Sequence, residues 1–196
     1  MYDYFNGKIS SLTPTEVTID CGGIGFQLLI SLHTYAQLKD QSSYRLFAHH
    51  VVREDAQLLY GFAEQEERIM FRELLNVSGV GASTARVVLS SMTAVQLRQV
   101  IAAGDVIALQ KVKGIGAKTA QRVIVDLQDK MKKGIYVTAA NSSAASHNSD
   151  ANEALSALLT LGFARAAAEK ALLQASKSLG SSANVENLIK VALSHL

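Results

Sequence analysis

Two short stretches of the chain contain paired glycines followed by Ala-x-Thr, and one stretch is a near-copy of the other. The first repeat, residues 74–88, reads LLNVSGVGASTARVV, and the second repeat, residues 109–123, reads LQKVKGIGAKTAQRV. Glycine adopts positive φ at little steric cost and lets another group approach the backbone closely. The chemistry that this pattern offers is binding of an anion by main-chain amides. Because the pattern occurs twice only, it is a duplicated module and not a solenoid.

The apolar residues on both sides of each glycine pair fall at helical spacing, which predicts a tight turn between two helices. The residue between the glycines, Val80 or Ile115, is predicted to plug the angle between them. The helix after each turn begins with amides that lack intrahelical partners, at the positive end of the helix dipole. The predicted phosphate-binding residues are Gly79, Val80, Gly81, Ser83, Thr84, Gly114, Ile115, Gly116, Lys118, Thr119 and Arg122.

A Gly-x-Gly turn between helices has two interpretations. A single copy is typical of a packing turn, whereas two copies with matched flanks favour phosphate binding. Backbone contacts carry no base information, so they would position a duplex without reading it. The second repeat has Lys113 and Lys118 where the first has Ser78 and Ser83, so we expect a weaker phosphate grip at the first. Residues 63–133 carry eleven basic and seven acidic residues, an excess typical of a nucleic-acid footprint or of an ordinary solvated surface.

The repeated pattern resembles the helix-hairpin-helix motif of DNA-binding proteins. Together with the segment VVREDAQLLYGF, residues 51–62, it resembles the RuvA family of bacterial proteins that recognise Holliday (four-way) junctions, and the resemblance covers essentially the whole chain. It implies a multidomain α+β protein with an N-terminal five-stranded OB-fold β-barrel, a central all-α tandem helix-hairpin-helix domain and a C-terminal three-helix UBA-like bundle. The implied domains are residues 1–63, 64–133 and 151–196. Residues 134–150 lose helical periodicity and are dominated by alanine, serine and asparagine after Val137, which predicts a flexible linker.

The N-terminal residues independently favour a small closed barrel, because short β-branched or aromatic runs alternate with turn signals. Strands are predicted at Tyr2–Ile9, Glu16–Cys21, Phe26–Ile30, Tyr44–Val52 and Gln57–Phe62, with a short helix at Leu32–Leu38. Four aromatic residues there have two interpretations, stacking on unpaired bases or packing inside the barrel, and packing is the expected role. They are Tyr2, Tyr4, Phe5 and Phe26.

Glu54 and Asp55 interrupt two apolar strands of the predicted barrel. In isolation an acidic pair there is typical of a polar hairpin turn. The family resemblance implies a second role, an acidic pin at the centre of the junction. Carboxylates among converging phosphates repel them, so the pin would keep strands apart without cutting anything.

The central and C-terminal parts are predicted to be helical. Helices are expected at Glu64–Asn76, from Gly81 to about Ser91, from Thr93 or Ala94 to about Ala103, from Asp105 into the second repeat, from the second repeat to about Lys133, and at about Asn152–Leu161, Ala164–Ser176 and Val185–Leu196. Glu64, Glu66 and Glu67 are predicted to lie on a solvated face near a helix start, where the dipole favours acids.

The family resemblance assigns the C-terminal bundle to docking of the motor subunit RuvB. Leu158, Leu161 and Leu193 match apolar positions that face the motor in that family, and the alternative for each is the bundle core. The implied partners are junction DNA, the hexameric RuvB ATPase and the resolvase RuvC, and the implied assembly is a homotetramer, or an octamer on the junction. The implied role is to hold the junction open and flat and to load the motor during recombination and repair of damaged DNA, as part of the SOS response.

No catalytic site is expected in the chain itself. The GIGAKT segment has Ala117 where a Walker A loop needs glycine before its lysine, so the ATPase must belong to a partner. Adjacent histidines on a strand, His49 and His50, point to opposite faces, so we expect no metal, and we expect no cofactor. A single cysteine and the absence of a signal peptide favour the cytoplasm. Two other functions remain open, a repair glycosylase or nuclease and a DNA scaffold without junction preference.

Overall fold

The structure, a computed structural model, describes residues 1–132, 146–179 and 184–196, without the side chains of residues 146–149. The chain divides into two compact units, Met1–Thr138 and Ala139–Leu196. Among the described residues, the first unit contains a β-barrel and a helical part, and the second contains three helices. The fold class predicted from the sequence is therefore confirmed, whereas the finer domain boundaries stay predictions.

Five strands form a closed barrel in the order β1-β2-β3-β5-β4, the order of an OB-fold. They are β1 (Tyr4–Leu12), β2 (Glu16–Asp20), β3 (Gly25–Ile30), β4 (Ser43–Val52) and β5 (Gln57–Phe62), and α1 (Leu32–Leu38) follows β3. The first strand starts later and ends later than its predicted range, Tyr2–Ile9. The reason is that its first half pairs with β4 and its second half with β2, with a register shift between Ile9 and Ser11. Because β1 pairs with two different strands along its length, it extends beyond the predicted end at Ile9 to Leu12.

The barrel core consists of aliphatic side chains that alternate along the strands, among them Ile19, Leu28 and Leu46, which are fully buried. Phe5 belongs to this core and stacks on Phe26, with ring centroids 4.4 Å apart. Phe5 therefore packs inside the barrel, as expected, and Phe26 is partly buried against that core. The two tyrosines are about half exposed: Tyr2 lies against Phe5, and the Arg45 guanidinium lies 3.8 Å from the Tyr4 ring centre.

Up to residue 132, where the described part of the first unit ends, five helices follow the barrel: α2 (Gln65–Leu75), α3 (Ala82–Ser91), α4 (Ala94–Ala103), α5 (Val106–Gln110) and α6 (Ala117–Lys132). Thr93 caps α4 in a capping box with Gln96, and Asp105 caps α5 by accepting the Ala108 N–H at 2.9 Å. The apolar faces of these helices form one core with Tyr60 and Phe62 of β5. The helical part is thus built directly on the barrel wall.

The second unit contains α7 (Ser146–Thr160), α8 (Arg165–Leu179) and α9 (Val185–Leu193), packed around small and apolar side chains such as Ala154, Leu158 and Leu172. The prediction that α7 starts at about Asn152 was wrong, since the helix begins at Ser146. The added residues contain neither glycine nor proline, and each one extends an existing helix by one hydrogen bond. Most of the predicted linker, 134–150, lies outside the described residues.

Candidate nucleic-acid interface

The two repeats form turns with the same main-chain hydrogen bonds. In each, the apolar residue before the first glycine closes a helical turn, and the residue between the glycines donates back to it. In the first repeat the three bonds are Val77 N to Leu74 O at 3.1 Å, Val80 N to Val77 O at 3.0 Å and Ala85 N to Gly81 O at 2.9 Å. In the second repeat they are Val112 N to Leu109 O at 3.1 Å, Ile115 N to Val112 O at 3.1 Å and Ala120 N to Gly116 O at 2.9 Å. The repeats therefore share one backbone geometry.

The two glycines of each turn are present for different reasons. Gly79 and Gly114 have φ of +91° and +90°, a conformation that a side chain makes costly. Gly81 has φ −88° and ψ 170°, which any residue adopts. A Cβ added at Gly81 or Gly116 would meet no atom of the described chain within 4 Å. Neither the backbone nor internal packing requires glycine there, and its effect is to leave the surface in front of the helix open.

That open surface exposes main-chain donors. Gly81 is the N-cap of α3 and receives no side-chain capping bond. In the described structure, no hydrogen bond occupies the N–H groups of residues 81–84 or of the matching residues 116–119. Four amides at each turn thus have no partner within the described chain and lie at the positive end of a helix dipole, which is the arrangement that binds phosphate. Ala82 is only 3% exposed, so Gly81 and Ser83 are the open positions of the first turn.

Val80 and Ile115 lie inside the turns. Their side chains are 5% and 6% exposed, so the prediction that they plug the angle between the helices is confirmed. Their amides donate within the turns. Although the sequence placed them among the phosphate-binding residues, the structure therefore does not put them among the open donors.

The side chains around the two turns differ in charge. Lys118 and Arg122 are exposed at the second turn, and Arg122 forms a loose ion pair with Asp126 at 3.7 Å. Thr84 and Thr119 are half-buried beside their turns, and Ser83 is exposed where Lys118 stands in the other copy. The excess positive charge predicted for the second repeat therefore lies on the surface beside its open amides.

Glu54 and Asp55 lie at the exposed tip between β4 and β5. The Arg53 amide donates to the Ala56 carbonyl at 2.8 Å and closes this four-residue loop. The carboxylates of this acidic tip are free to face a ligand, and the geometry fits both a plain hairpin turn and a pin.

The three C-terminal leucines separate into buried and exposed groups. Leu158 is fully buried in the core of the second unit, so its side chain does not face a partner in this fold. Leu161 and Leu193 are 61% and 42% exposed. The alternative of a core role therefore holds for Leu158 and not for the other two.

Two ionisable residues lie between the barrel and α2. Glu67 is 5% exposed, so the prediction of a solvated face was wrong for this residue. Burial raises the pKa of its carboxyl above the usual value, and hydrogen bonds from Ser31 and Thr34 oppose that rise. Burial lowers the pKa of His49, and nearby Arg72 lowers it further. The signal for Glu67 was its spacing from Phe71 and Leu74, which puts it on the apolar face of the helix.

Comparison with known proteins agrees with this architecture. Residues 1–61 match the family described as RuvA N terminal domain, residues 71–129 match the SAM-like helix-hairpin-helix tandem, and residues 149–196 match the RuvA C-terminal domain. A protein of Cytophaga hutchinsonii named Holliday junction branch migration complex subunit RuvA is 46% identical over 196 residues, covering 98% of each chain. The chain belongs to the RuvA family. Proteins of the same name from Bacteroides fragilis and Flavobacterium psychrophilum are each 44% identical and covered completely.

The RuvA family segments coincide with the structural parts. The N-terminal match ends within β5, the helix-hairpin-helix match contains both repeats, and the C-terminal match contains nearly all of α7 with α8 and α9. Within the described residues, no cluster of three histidine, cysteine, aspartate or glutamate side chains is placed to hold a metal ion. In the same part of the chain, no helix has both the length and the apolar character that crossing a bilayer requires.

Proposed function

We propose that this chain is a non-catalytic DNA-binding subunit that recognises four-way junctions, holds them open and flat, and loads an ATPase motor for branch migration in recombination and repair. The observation that carries the proposal is the pair of matched turns, each with four amides that have no partner within the described chain and an open surface at its second glycine. The names of its RuvA family relatives, which describe subunits of a Holliday junction branch migration complex, support the choice of substrate.

The duplex arms would bind through their phosphates. Amides at a helix N-terminus donate to phosphate oxygens whatever bases follow. Two such turns on one chain would hold two points along the backbone of an arm. The substrate would then be selected by the directions in which its arms leave the crossover and not by base sequence.

The acidic tip would act at the crossover. Four copies of the chain around a four-way junction would bring their Glu54 and Asp55 side chains toward the centre. Carboxylates close to phosphates repel them where water screens the charges weakly. Such repulsion would guide each strand into its own arm while breaking no covalent bond.

The motor would come from a partner. Branch migration consumes ATP, and the sequence contains no Walker A loop. Leu161 and Leu193 are exposed large apolar residues on the second unit, and we propose that they dock the RuvB hexamer. Replacing both with alanine should abolish co-purification of RuvB while the circular dichroism melting curve stays unchanged. The same assembly, a tetramer or a pair of tetramers, could also admit the resolvase RuvC.

A gel-shift series tests the proposed function. A four-way junction, a linear duplex of the same sequence and a single strand are titrated with the full-length chain over a range of salt. We expect a strong preference for the junction, unchanged DNA after release, and a salt slope of roughly −0.9 for each phosphate neutralised. Equal binding to linear duplex would support a general scaffold, and a cleaved or base-less product would support a repair enzyme.

A second experiment isolates the acidic tip. Replacing Glu54 with glutamine and Asp55 with asparagine removes two charges and keeps the side-chain volumes. We expect junction affinity to be unchanged or raised, because repulsion is removed, and branch migration with RuvB to change in rate. Normal migration by this variant would remove the pin role and leave the phosphate contacts standing.

A further inference from the structure

The two helices that flank the first turn are both tied to one place in the barrel, the start of α1. On the α2 side, the Glu67 carboxylate accepts the hydroxyl protons of Ser31 and Thr34, the latter with Oγ1 and Oε2 2.7 Å apart. Each hydroxyl oxygen also accepts a backbone amide at 3.0 Å, from Thr34 and Ala63 respectively. Each hydroxyl thus both donates and accepts a hydrogen bond, and Glu67 supplies the acceptors for their protons.

The α3 side has its own ties to the barrel. The Ser90 hydroxyl accepts the Leu32 amide at 3.2 Å and donates to the Arg86 carbonyl one helical turn earlier, at 2.8 Å. The Arg86 guanidinium donates to the Thr15 carbonyl at 3.1 Å, in the turn between β1 and β2. Leu32 follows Ser31 directly, so α2 and α3 are held by neighbouring residues.

The second repeat has different residues at the matching positions. The repeats are offset so that Val77 corresponds to Val112, which places Ala102, Gln121 and Val125 opposite Glu67, Arg86 and Ser90. Alanine and valine cannot form the polar ties, and Val125 is 75% exposed. The ion pair between Lys130 of α6 and Glu73 of α2, at 3.0 Å, joins these two helices and does not involve the barrel. The duplicated module has therefore diverged at the residues that fix its position.

We propose that Glu67 and Ser90 are positioning residues, which hold the first turn at a fixed place relative to the barrel and thereby set where the acidic tip falls along a bound arm. The acidic tip belongs to that barrel, between β4 and β5. A phosphate held at the first turn and a strand deflected by Glu54 and Asp55 are then a constant distance apart. The consequence for bound DNA rests on the proposed function, whereas the claim that Glu67 and Ser90 hold the first turn in place concerns the protein alone.

Removing these ties should loosen the joint without unfolding the unit. The variant is Glu67→Gln with Ser90→Ala, which keeps the volume at the first site and deletes one hydroxyl at the second. The Arg68 side chain still donates to the Asp3 carboxylate at 2.6 Å and to the Ala48 carbonyl at 3.2 Å, so α2 remains attached to β4 and to the residue before β1. Thr93→Ala is the matched control, because it removes the capping box of α4 and leaves the barrel ties intact.

The first measurement uses no DNA. Spin labels are attached to a pair of cysteines, one at Gln57 beside the acidic tip and the other at Ser78 or at Lys113. The distance between the two labels reports how far the acidic tip lies from the first or the second turn. The chain carries Cys21→Ser and is mixed with an excess of unlabelled chain. We expect a narrow 57–78 distribution in the parent and in Thr93→Ala, and a broad one in the double variant. A 57–78 distribution that stays narrow in the double variant overturns the proposal, as does equal broadening in Thr93→Ala. If the double variant does not fold, Ser90→Ala alone is measured against the same criterion.

The second measurement links the joint to DNA. A fluorescent base analogue at the crossover of a four-way junction brightens when its neighbours unstack. We expect the double variant to bind the junction within about threefold of the parent, since its amide donors are intact, and to lose the brightening at the crossover. Brightening that the double variant retains overturns the positioning role, while absence of brightening or of junction preference in the parent defeats the proposed function and this consequence together.

Discussion

The two repeats share a backbone and differ in their surroundings. The first glycines have φ of +91° and +90°, and the same three hydrogen bonds close each turn. The first turn lies between helices tied to the barrel through Glu67 and Ser90 and has no lysine where the second has Lys118. The second turn has the lysines and lacks those ties. The main chain therefore fixes how a phosphate would be held, and it is the same in both copies. The side chains differ, because those of the first copy fix the position of its turn and those of the second copy supply positive charge.

The largest expected effect comes from closing both open surfaces. Gly81→Leu with Gly116→Leu should reduce junction affinity by at least about a hundredfold, because losing even one hydrogen bond to a charged phosphate at each turn costs roughly 3 kcal/mol in total. Thermal stability should hardly change, since a Cβ at either site meets no described atom within 4 Å. Junction affinity is measured by gel shift and stability by calorimetry. Retained affinity would mean that these amides do not face DNA.

The two glycines within one turn should respond in opposite ways. Gly79→Ala places a side chain at φ +91° and should lower the free energy of unfolding by about 1–2 kcal/mol. Gly81→Ala should leave that free energy nearly unchanged and weaken DNA binding instead. Urea denaturation and gel shifts on both variants make the comparison, with the pair Gly114→Ala and Gly116→Ala as its repeat in the second copy. Equal destabilisation at the two positions of one turn would contradict the assignment of distinct roles.

Exchanging the charges tests how the copies share ionic strength. Lys118→Ser should weaken junction binding by about fivefold, on the order of 1 kcal/mol for an exposed charge, and Ser83→Lys should strengthen it to a similar extent. The magnitude of the salt slope should decrease by roughly 0.9 in the first variant, which loses one phosphate contact, and increase by the same amount in the second. If Ser83→Lys changes neither affinity nor slope, the first turn does not approach a phosphate.

The smallest expected effect is a pH dependence on the barrel-facing side of α2. The His49 pKa lies below its usual value of 6.5, so between the two values the unfolded chain binds more protons, and stability falls as pH drops below about 6.5. Glu67 acts in the opposite direction. Burial raises the pKa of its carboxyl in the folded chain above the usual 4.5, so stability is lost as the pH rises from 4.5 through the pKa of the folded state. His49→Gln should therefore reduce the change of the melting temperature with pH just below about pH 6.5, as measured by circular dichroism melting curves. Arg72→Met should flatten it partly, since Arg72 contributes to the shift and donates to His49 at 3.3 Å.

The strands and helices of the first unit were largely predictable because their signals are local. The range Gln57–Phe62 for the last strand and Leu32–Leu38 for the first helix were confirmed without change, and both are bounded by polar or turn residues. The first strand was predicted, but its end was placed too early, at Ile9 instead of Leu12, because that end depends on which neighbour the strand pairs with. The early start of α7 was missed because composition indicated a loop where helix extension from a packed segment prevailed.

The candidate interface was predictable in its backbone and less so in its side chains. Paired glycines and helical flanks led directly to the turns, since both are properties of a few consecutive residues. The engaged amides of Val80 and Ile115 and the burial of Leu158 required the three-dimensional contacts. So did the hydroxyl partners of Glu67, Ser31 and Thr34, because they are far from it along the chain.

By itself the sequence determined that a glycine turn occurs twice, where the strands and helices run, and which copy has the lysines, because each of these follows from residues close together in the chain. Tertiary structure decided which of two like turns is anchored to the barrel, and which acid and which leucine are buried. Those outcomes depend on contacts between distant segments, where a hydroxyl or carboxylate acquires its partner only after the chain has closed.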